Sequence, residues 1–225
     1  MWNASIIIPA YNEELFIGET LRAVRAHPLL RHLELIVVDD GSTDGTRKLA
    51  ANWADQVIRS EQRKGKGFAL WQGTRAASGD TLLFLDADLQ KTSVLASYLL
   101  ENLHACGADM IIGCPPAAKK EGFGLVKRMA QREISKMTGV FLKEPLSGQR
   151  ALTRRASEAV SSWDYGFGIE VAMTIDIMHA GLSVCETAIP FSHRSYGKTA
   201  AGFLHRGKQY LHIRRAIKQK QAALK

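Results

Sequence analysis

Three short apolar runs, residues 4–9 (ASIIIP), 34–39 (ELIVVD) and 81–85 (TLLFL), each end abruptly in polar or acidic residues. Rich in Ile, Val and Leu and lacking polar alternation, they read as strands buried on both faces. Between the first two, residues 13–26 carry Leu15, Phe16, Leu21 and Val24 at roughly helical spacing. A helix over 44–53, a strand over 56–59 and a helix over 66–77 lead to the third run. Strand and helix alternate, which predicts an α/β fold with a parallel sheet covered on both faces. Open sheets of this kind gather ligands at the carboxyl ends of their strands. The residues that follow each run therefore decide the chemistry.

The rest of the chain continues the alternation, with a helix over 92–105 and a strand over 109–112. Near residue 113 the character changes to an irregular basic loop containing Pro115, Pro116, Lys119 and Lys120. A helix over 125–138, a strand over 149–153, helices over 155–162 and 168–180, a strand over 183–190 and a last helix over 200–220 complete the reading. We expect one domain over 1–225, with a nucleotide-type half (1–113) and an acceptor-type half (114–225) that ends in a basic helix.

The third run passes into Asp86 and Asp88. Residues i and i+2 of an extended segment share a face, so both carboxylates reach one point past a buried strand. Two hard oxygen ligands suit Mg²⁺ or Mn²⁺, and such an ion suits a diphosphate. The plainer alternative is a strand that ends in solvated acids, one of which caps the next helix. On the same rim the first run ends in Pro9-Ala10-Tyr11-Asn12-Glu13 and the second in Asp39-Asp40-Gly41-Ser42. Tyr11 offers a stacking face and Asp40 a hydrogen-bond acceptor for a base or ribose. Gly65 and Gly67 around Lys66 open a helix whose N-terminus favours anions, although the Walker spacing is absent.

With 225 residues, 46% of them apolar, the chain can bury a sizeable core without staples. Its three cysteines form no CxxC pair, so a reducing compartment is expected. Neither a leader nor a spanning segment is expected, since no apolar run approaches the ~20 residues a bilayer requires. Residues 193–225 hold nine Lys or Arg and no Asp or Glu, within a formal net charge of +8. The body is thus nearly neutral and the tail is basic. Such a tail suits phosphates or an anionic membrane, and a solvated helix face is the alternative. Nucleic acid is not expected as a partner, because 1–192 offers no recognition module.

PAYNEE, VVDDGSTDGT, GKGFALWQGTRAASGD and FLDADLQ, in that order and spacing, resemble the nucleotide-sugar half of family 2-type glycosyltransferases with the GT-A fold. Within that family the chain is similar to the dolichyl- and polyprenyl-phosphate sugar synthases. It is also similar to the glucosyl-3-phosphoglycerate synthases, through PLSGQRALTR, YGFGIEVAMTID and the late His193-Arg194. The resemblance implies a Rossmann-like, mostly parallel central sheet flanked by helices. It implies Pro9, Tyr11, Glu13, Asp40, Lys66, Asp86, Ala87, Asp88, Arg194 and Lys198 at the nucleotide sugar. It implies Asp86, Asp88, Gln90 and His193 at a divalent metal, Mg²⁺ or Mn²⁺. Ser147, Gly148 and Arg150 are implied at an acceptor phosphate, and Asp88 and Glu170 as catalytic, with Glu170 as base where the acceptor is a hydroxyl.

The expected reaction moves a hexose, glucose by preference, from a nucleotide diphosphate sugar to a phosphate-bearing acceptor such as polyprenyl phosphate. A UDP-sugar is favoured over a GDP-sugar. A small phosphorylated acceptor, or binding without turnover, are the alternatives. A cytoplasmic protein is expected, with possible peripheral contact at the inner membrane face. Nucleotidyl transfer fits poorly, because PAYNEE stands where that class places a Gly-rich basic loop.

Overall fold

A computed structural model describes residues 2–115, 124–192 and 200–223. Strands β1 (Ala4–Ala10), β2 (Glu34–Asp39), β3 (Gln56–Arg59) and β4 (Thr81–Phe84) run parallel in the order β3-β2-β1-β4. Helices α1 (Ile17–Ala26), α2 (Thr46–Ala50) and α3 (Lys66–Ala76) connect them. The sheet continues through β6 (Arg150–Thr153), β5 (Met110–Cys114) and β7 (Val184–Ala188), making seven strands among the described residues. The remaining helices are α4 (Ser97–Cys106), α5 (Gly124–Thr138), α6 (Arg154–Glu158), α7 (Ile169–His179) and α8 (Ala200–Ala223).

The α/β expectation holds, with one departure that the residues did not announce. β6 is antiparallel to both of its neighbours, β4 and β5. Its reversed direction brings its entry to the rim where β4 and β5 exit, since Arg150 stands opposite Phe84 and Ile112. The loop before β6 thus reaches the acidic strand ends, which a parallel strand here would have sent to the opposite rim. The sheet runs unbroken past residue 113, because β6 lies between β4 and β5.

Helices on both faces bury the sheet. One face packs α1, a 3₁₀ segment (Gln90–Ala96) and α4 through Leu21, Val24, Leu99, Leu100 and Leu103. The other packs α3, α5, α7 and α8 through residues such as Leu70, Ile134, Ile175 and Ile217. α3 approaches closely at Gly73, where an added Cβ would stand 2.4 Å from Ile7 Cγ2.

Several helices differ from their expected spans for local reasons. α1 starts at Ile17 because the turn before it is tied to the β2 side, with the Glu13 amide donating to Thr46 Oγ1 at 2.7 Å. The expected 92–105 helix opens as the 3₁₀ segment, pinned where the Gln90 amide donates to Thr20 Oγ1 at 2.8 Å. α6 stops at Glu158, and the Ser161 amide turns to donate to Asp176 at 2.8 Å.

α8 is docked on the body. Ile213, Ala216 and Ile217 are buried, and Lys220 is held between Asp176 at 2.5 Å and Ser161 at 2.8 Å.

Candidate active site

The strand ends meet as topology dictates. β1 lies between β2 and β4, so connections leave it in opposite directions and open a crevice at its carboxyl end. Ala10 is level with Asp39, and Ile7 with Phe84, which sets Tyr11, Asp40 and Asp86 along one rim. Pro9 lies within β1 and is half-buried.

The first wall is built from carboxylates that hold loops. Asp40 is 3% exposed, and its two oxygens accept from the Lys64 and Gly65 amides, each at 2.7 Å. This clamp fixes the chain just before α3. Gly65 has φ +100°, which a side chain would strain, and Lys66 begins the helix. Asp40, expected at a base or ribose, has a carboxylate that secures the loop leading to Lys66. Asp39 is 1% exposed, with one oxygen accepting from the Ser42 amide at 2.9 Å. Its other oxygen, Oδ2, is buried and has no hydrogen-bond partner among the described residues. Beside it the Arg63 guanidinium lies 3.9 Å from the centre of the Tyr11 ring.

The second wall carries most of the charge. Lys66 Nζ sits 2.7 Å from Asp86 Oδ1 and 2.7 Å from Glu170 Oε1. Burial alone would lower the lysine pKa, but the two carboxylates outweigh it and hold the ammonium above the ordinary lysine value. Gln149 Nε2 donates to Asp86 Oδ2 at 2.7 Å. Gly148 makes this packing possible, since an added Cβ would stand 2.5 Å from Lys66 Nζ and 2.8 Å from Asp86 Oδ2. Asp86, Asp88 and Gln90 are half-buried, while Ala87 and Leu89 between them are buried. The strand ends at Phe84 and the chain turns at Ala87–Asp88, with Gln90 at φ +48°. Thr20 Oγ1 donates to the Ala87 carbonyl at 2.7 Å and so secures that segment from α1.

Arg150 departs from its expected role. It is 1% exposed, and its guanidinium donates to the carbonyls of Ser147, Pro145 and Glu170 and to Thr174 Oγ1 at 2.8–3.1 Å. Burial pushes its pKa down to about 10, which leaves it charged at neutral pH. It ties the 145–147 loop to the first turn of α7, where Glu170 sits, and its guanidinium is spent on these partners. Ser147 Oγ likewise donates to the Gly113 carbonyl at 2.6 Å. Of the expected acceptor loop, Gly148 and Gln149 lie against the charged groups.

His193, Arg194 and Lys198 lie outside the described residues. Among the described residues no three His, Cys, Asp or Glu side chains converge as a ready cage for a metal. The donor chemistry nonetheless suits a hard cation that shares its ligands with a diphosphate. Asp86 and Asp88 are oxygen donors just past β4, and the Lys66 ammonium stands in for a cation between Asp86 and Glu170. Four residues of this constellation escaped the sequence reading: Asp39, Arg63, Gln149 and Thr20. Asp39 adjoined Asp40, and Gln149 stood between two singled-out residues, so position alone had flagged both. Thr20 gave no signal beyond a hydroxyl on an apolar helix face.

A family profile described as Glycosyl transferase family 2 matches residues 5–157, more than half of the chain. The chain belongs to glycosyl transferase family 2. This family 2 protein is 30% identical over 207 residues to a dolichol-phosphate mannosyltransferase of Pyrococcus furiosus, covering 87% of this chain and 58% of that one. It is 31% identical over 211 residues to a glucosyl-3-phosphoglycerate synthase of Mycobacterium tuberculosis, covering 76% and 60%. It thus spans less than two thirds of the length of either relative. A crystal structure of the mycobacterial synthase with Mn²⁺, UDP and phosphoglyceric acid superimposes with a TM-score of 0.79 at 26% identity, covering 96% of this chain and 77% of that one. The family membership and the mostly parallel GT-A sheet are those the sequence implied.

Proposed function

We propose that this chain transfers a hexose from a UDP-sugar to an oxygen of a phosphate-bearing acceptor. The observation that carries the reading is the Lys66 bridge between Asp86 and Glu170, at 2.7 Å on each side, below the crevice at β1. It joins a cation-holding carboxylate to a second carboxylate that faces the same point. The relatives' complexes with UDP, UDP-glucose, Mn²⁺ and phosphoglyceric acid support a nucleotide-sugar donor and a phosphorylated acceptor.

Asp86 and Asp88, with Gln90 and His193, would hold a Mg²⁺ or Mn²⁺ ion. Such an ion neutralises the charge that develops on the leaving diphosphate. The remaining steps belong to the protein. Tyr11 and Arg63 offer flat faces for a base, and Glu13 and Ala87 flank it. The lone acceptor Asp39 Oδ2 suits the single imino N–H of uracil, which favours UDP over GDP. Lys66, Arg194 and Lys198 add positive charge around the diphosphate. Gly148 and Ser147 form the acceptor side, where Gly148 admits an acceptor next to Asp86. An ionised acceptor phosphate attacks without a base. For a hydroxyl acceptor, Glu170 takes the proton as the anomeric bond breaks.

The deciding experiment measures UDP release with Mn²⁺ or Mg²⁺ and a panel of UDP- and GDP-sugars, with polyprenyl phosphate or 3-phosphoglycerate as acceptor. Metal-dependent UDP release stimulated by one acceptor is the expected result. Donor binding with no release under either acceptor would remove the reading in favour of a sugar-nucleotide binding protein. The small acceptor is the second reading, favoured by the 96% coverage of this chain by the phosphoglycerate-bound mycobacterial structure. Gly148→Ala tests the acceptor side. Its Cβ forces Lys66 or Asp86 aside, so turnover should fall by about tenfold while the unfolding transition stays in place. Unchanged turnover would move the acceptor away from Gly148.

A further inference from the structure

We propose that α5 and α8 together form a docking face for an anionic lipid surface. On α5 the exposed residues Leu125, Arg128, Arg132 and Lys136 recur every three or four positions, which places them in one stripe. Val140 and Phe141 lie just past the helix end, 42% and 63% exposed. On α8 the same spacing lines up Leu211, Arg214, Arg215 and Lys218, all exposed. The two helices pack on α7 and on each other, and Gln221 Nε2 donates to Glu133 Oε2 at 2.9 Å across the seam. Their outer stripes therefore lie side by side.

The exposed stripe charges are all positive, although Glu133 beside them pairs with Arg132 at 3.8 Å and Lys136 at 3.3 Å. Glu133 is the one acid within α5. α8 contains no Asp or Glu. A second copy of the chain would bring like charge against like. A nucleic acid would engage the cations and leave Leu125, Phe141 and Leu211 in water. A bilayer with anionic headgroups satisfies both sets, because the cations meet phosphates and the apolar residues enter the headgroup–acyl boundary. Among the described residues no helix is long and apolar enough to cross a membrane, so the contact is one that lies on the surface.

The face also connects to the proposed site. The loop after α5 runs from the exposed Phe141 to Gly148, whose backbone packs against Lys66 and Asp86. A phosphate presented at the bilayer surface would therefore approach the acceptor side of the crevice. This consequence rests on the proposed transfer, whereas the docking face itself does not.

The test uses the full chain and flotation with vesicles of phosphatidylcholine, with or without phosphatidylglycerol. The expected result is binding to the anionic vesicles alone, weakened severalfold as salt rises. A combined Arg128→Glu, Arg132→Glu, Lys136→Glu variant should lose at least about tenfold in vesicle affinity, in line with the per-cation attraction of such surfaces. A Leu125→Ser, Phe141→Ser variant should lose part of it. Both should retain UDP binding, which reports an intact fold. Four outcomes would overturn the proposal. These are absence of binding by the wild type, full binding by the charge-reversed variant, equal binding to DNA with no effect of the serine variant, and a wild-type dimer that the charge reversal dissociates. No donor or acceptor is present in flotation, so a failure there leaves the transferase reading standing, and a failure of turnover leaves the docking face standing.

Discussion

Lys66→Met should lower turnover by about 10²–10³-fold, the range seen when one positioned electrostatic group is removed from an active site. It should also tighten Mn²⁺ binding to the donor-free protein. The two effects have one origin. In the wild type the Lys66 ammonium lies 2.7 Å from Asp86 and 2.7 Å from Glu170, so an incoming cation at Asp86 meets a like charge that already occupies part of the site. Methionine keeps the length of the side chain and removes that competitor. It also removes a cation from the diphosphate and leaves Glu170, with a side chain 9% exposed, short of its counter-charge. Steady-state kinetics give the first effect, and titration of free Mn²⁺ by electron paramagnetic resonance gives the second. Asp88→Ala serves as the contrast, since it should lose turnover and Mn²⁺ binding together. Weaker Mn²⁺ binding in Lys66→Met would mean that the lysine supports the metal site rather than competing with it.

Arg150→Met should destabilise the fold by about 3–5 kcal/mol, read as a lower urea midpoint. Its guanidinium satisfies the carbonyls of Pro145, Ser147 and Glu170 together with Thr174 Oγ1, all deep beneath the site. A thioether fills the volume and removes the donors to the Pro145 and Ser147 carbonyls, while the Glu170 carbonyl keeps the Thr174 hydroxyl at 2.7 Å. Because Arg150 links the loop before β6 to the first turn of α7, the surviving folded protein should show a reduced kcat with little change in the KM for donor. A stability near wild type with a raised KM for acceptor would restore the surface role that the sequence implied.

The donor half was legible because its physics is local. Buried parallel strands read as unbroken apolar runs, and the carboxylates directly follow them, so the positions of Asp40, Asp86 and Asp88 at the strand ends could be read from the sequence. The acceptor half was less so. Nothing in Arg150-Ala-Leu-Thr153 encodes strand direction, since a fully buried strand carries the same residues either way up. The reversal of β6 followed only from its partners. The same reversal explains the misreading of Arg150, for an arginine beside Ser-Gly on a loop looks like an anion ligand until the loop is folded inward. Lys66 was found as an anion partner, but its bridge to Glu170 spans residues far apart in sequence and could be seen only once α3 and α7 were packed.

The place of β6 has a consequence for how the chain reaches this state. β5 leaves the ribosome before either of its neighbours, because both β6 and β7 follow it in sequence. Until they arrive, Met110, Ile111 and Ile112 form an apolar strand with both edges open, next to an equally open edge of β4. Closure of the sheet waits on β6, a four-residue hinge piece that must enter between two strands already made. Synthesis that stalls in the α5 region would strand a sticky half-sheet, and chaperone dependence of this protein should therefore peak in that window.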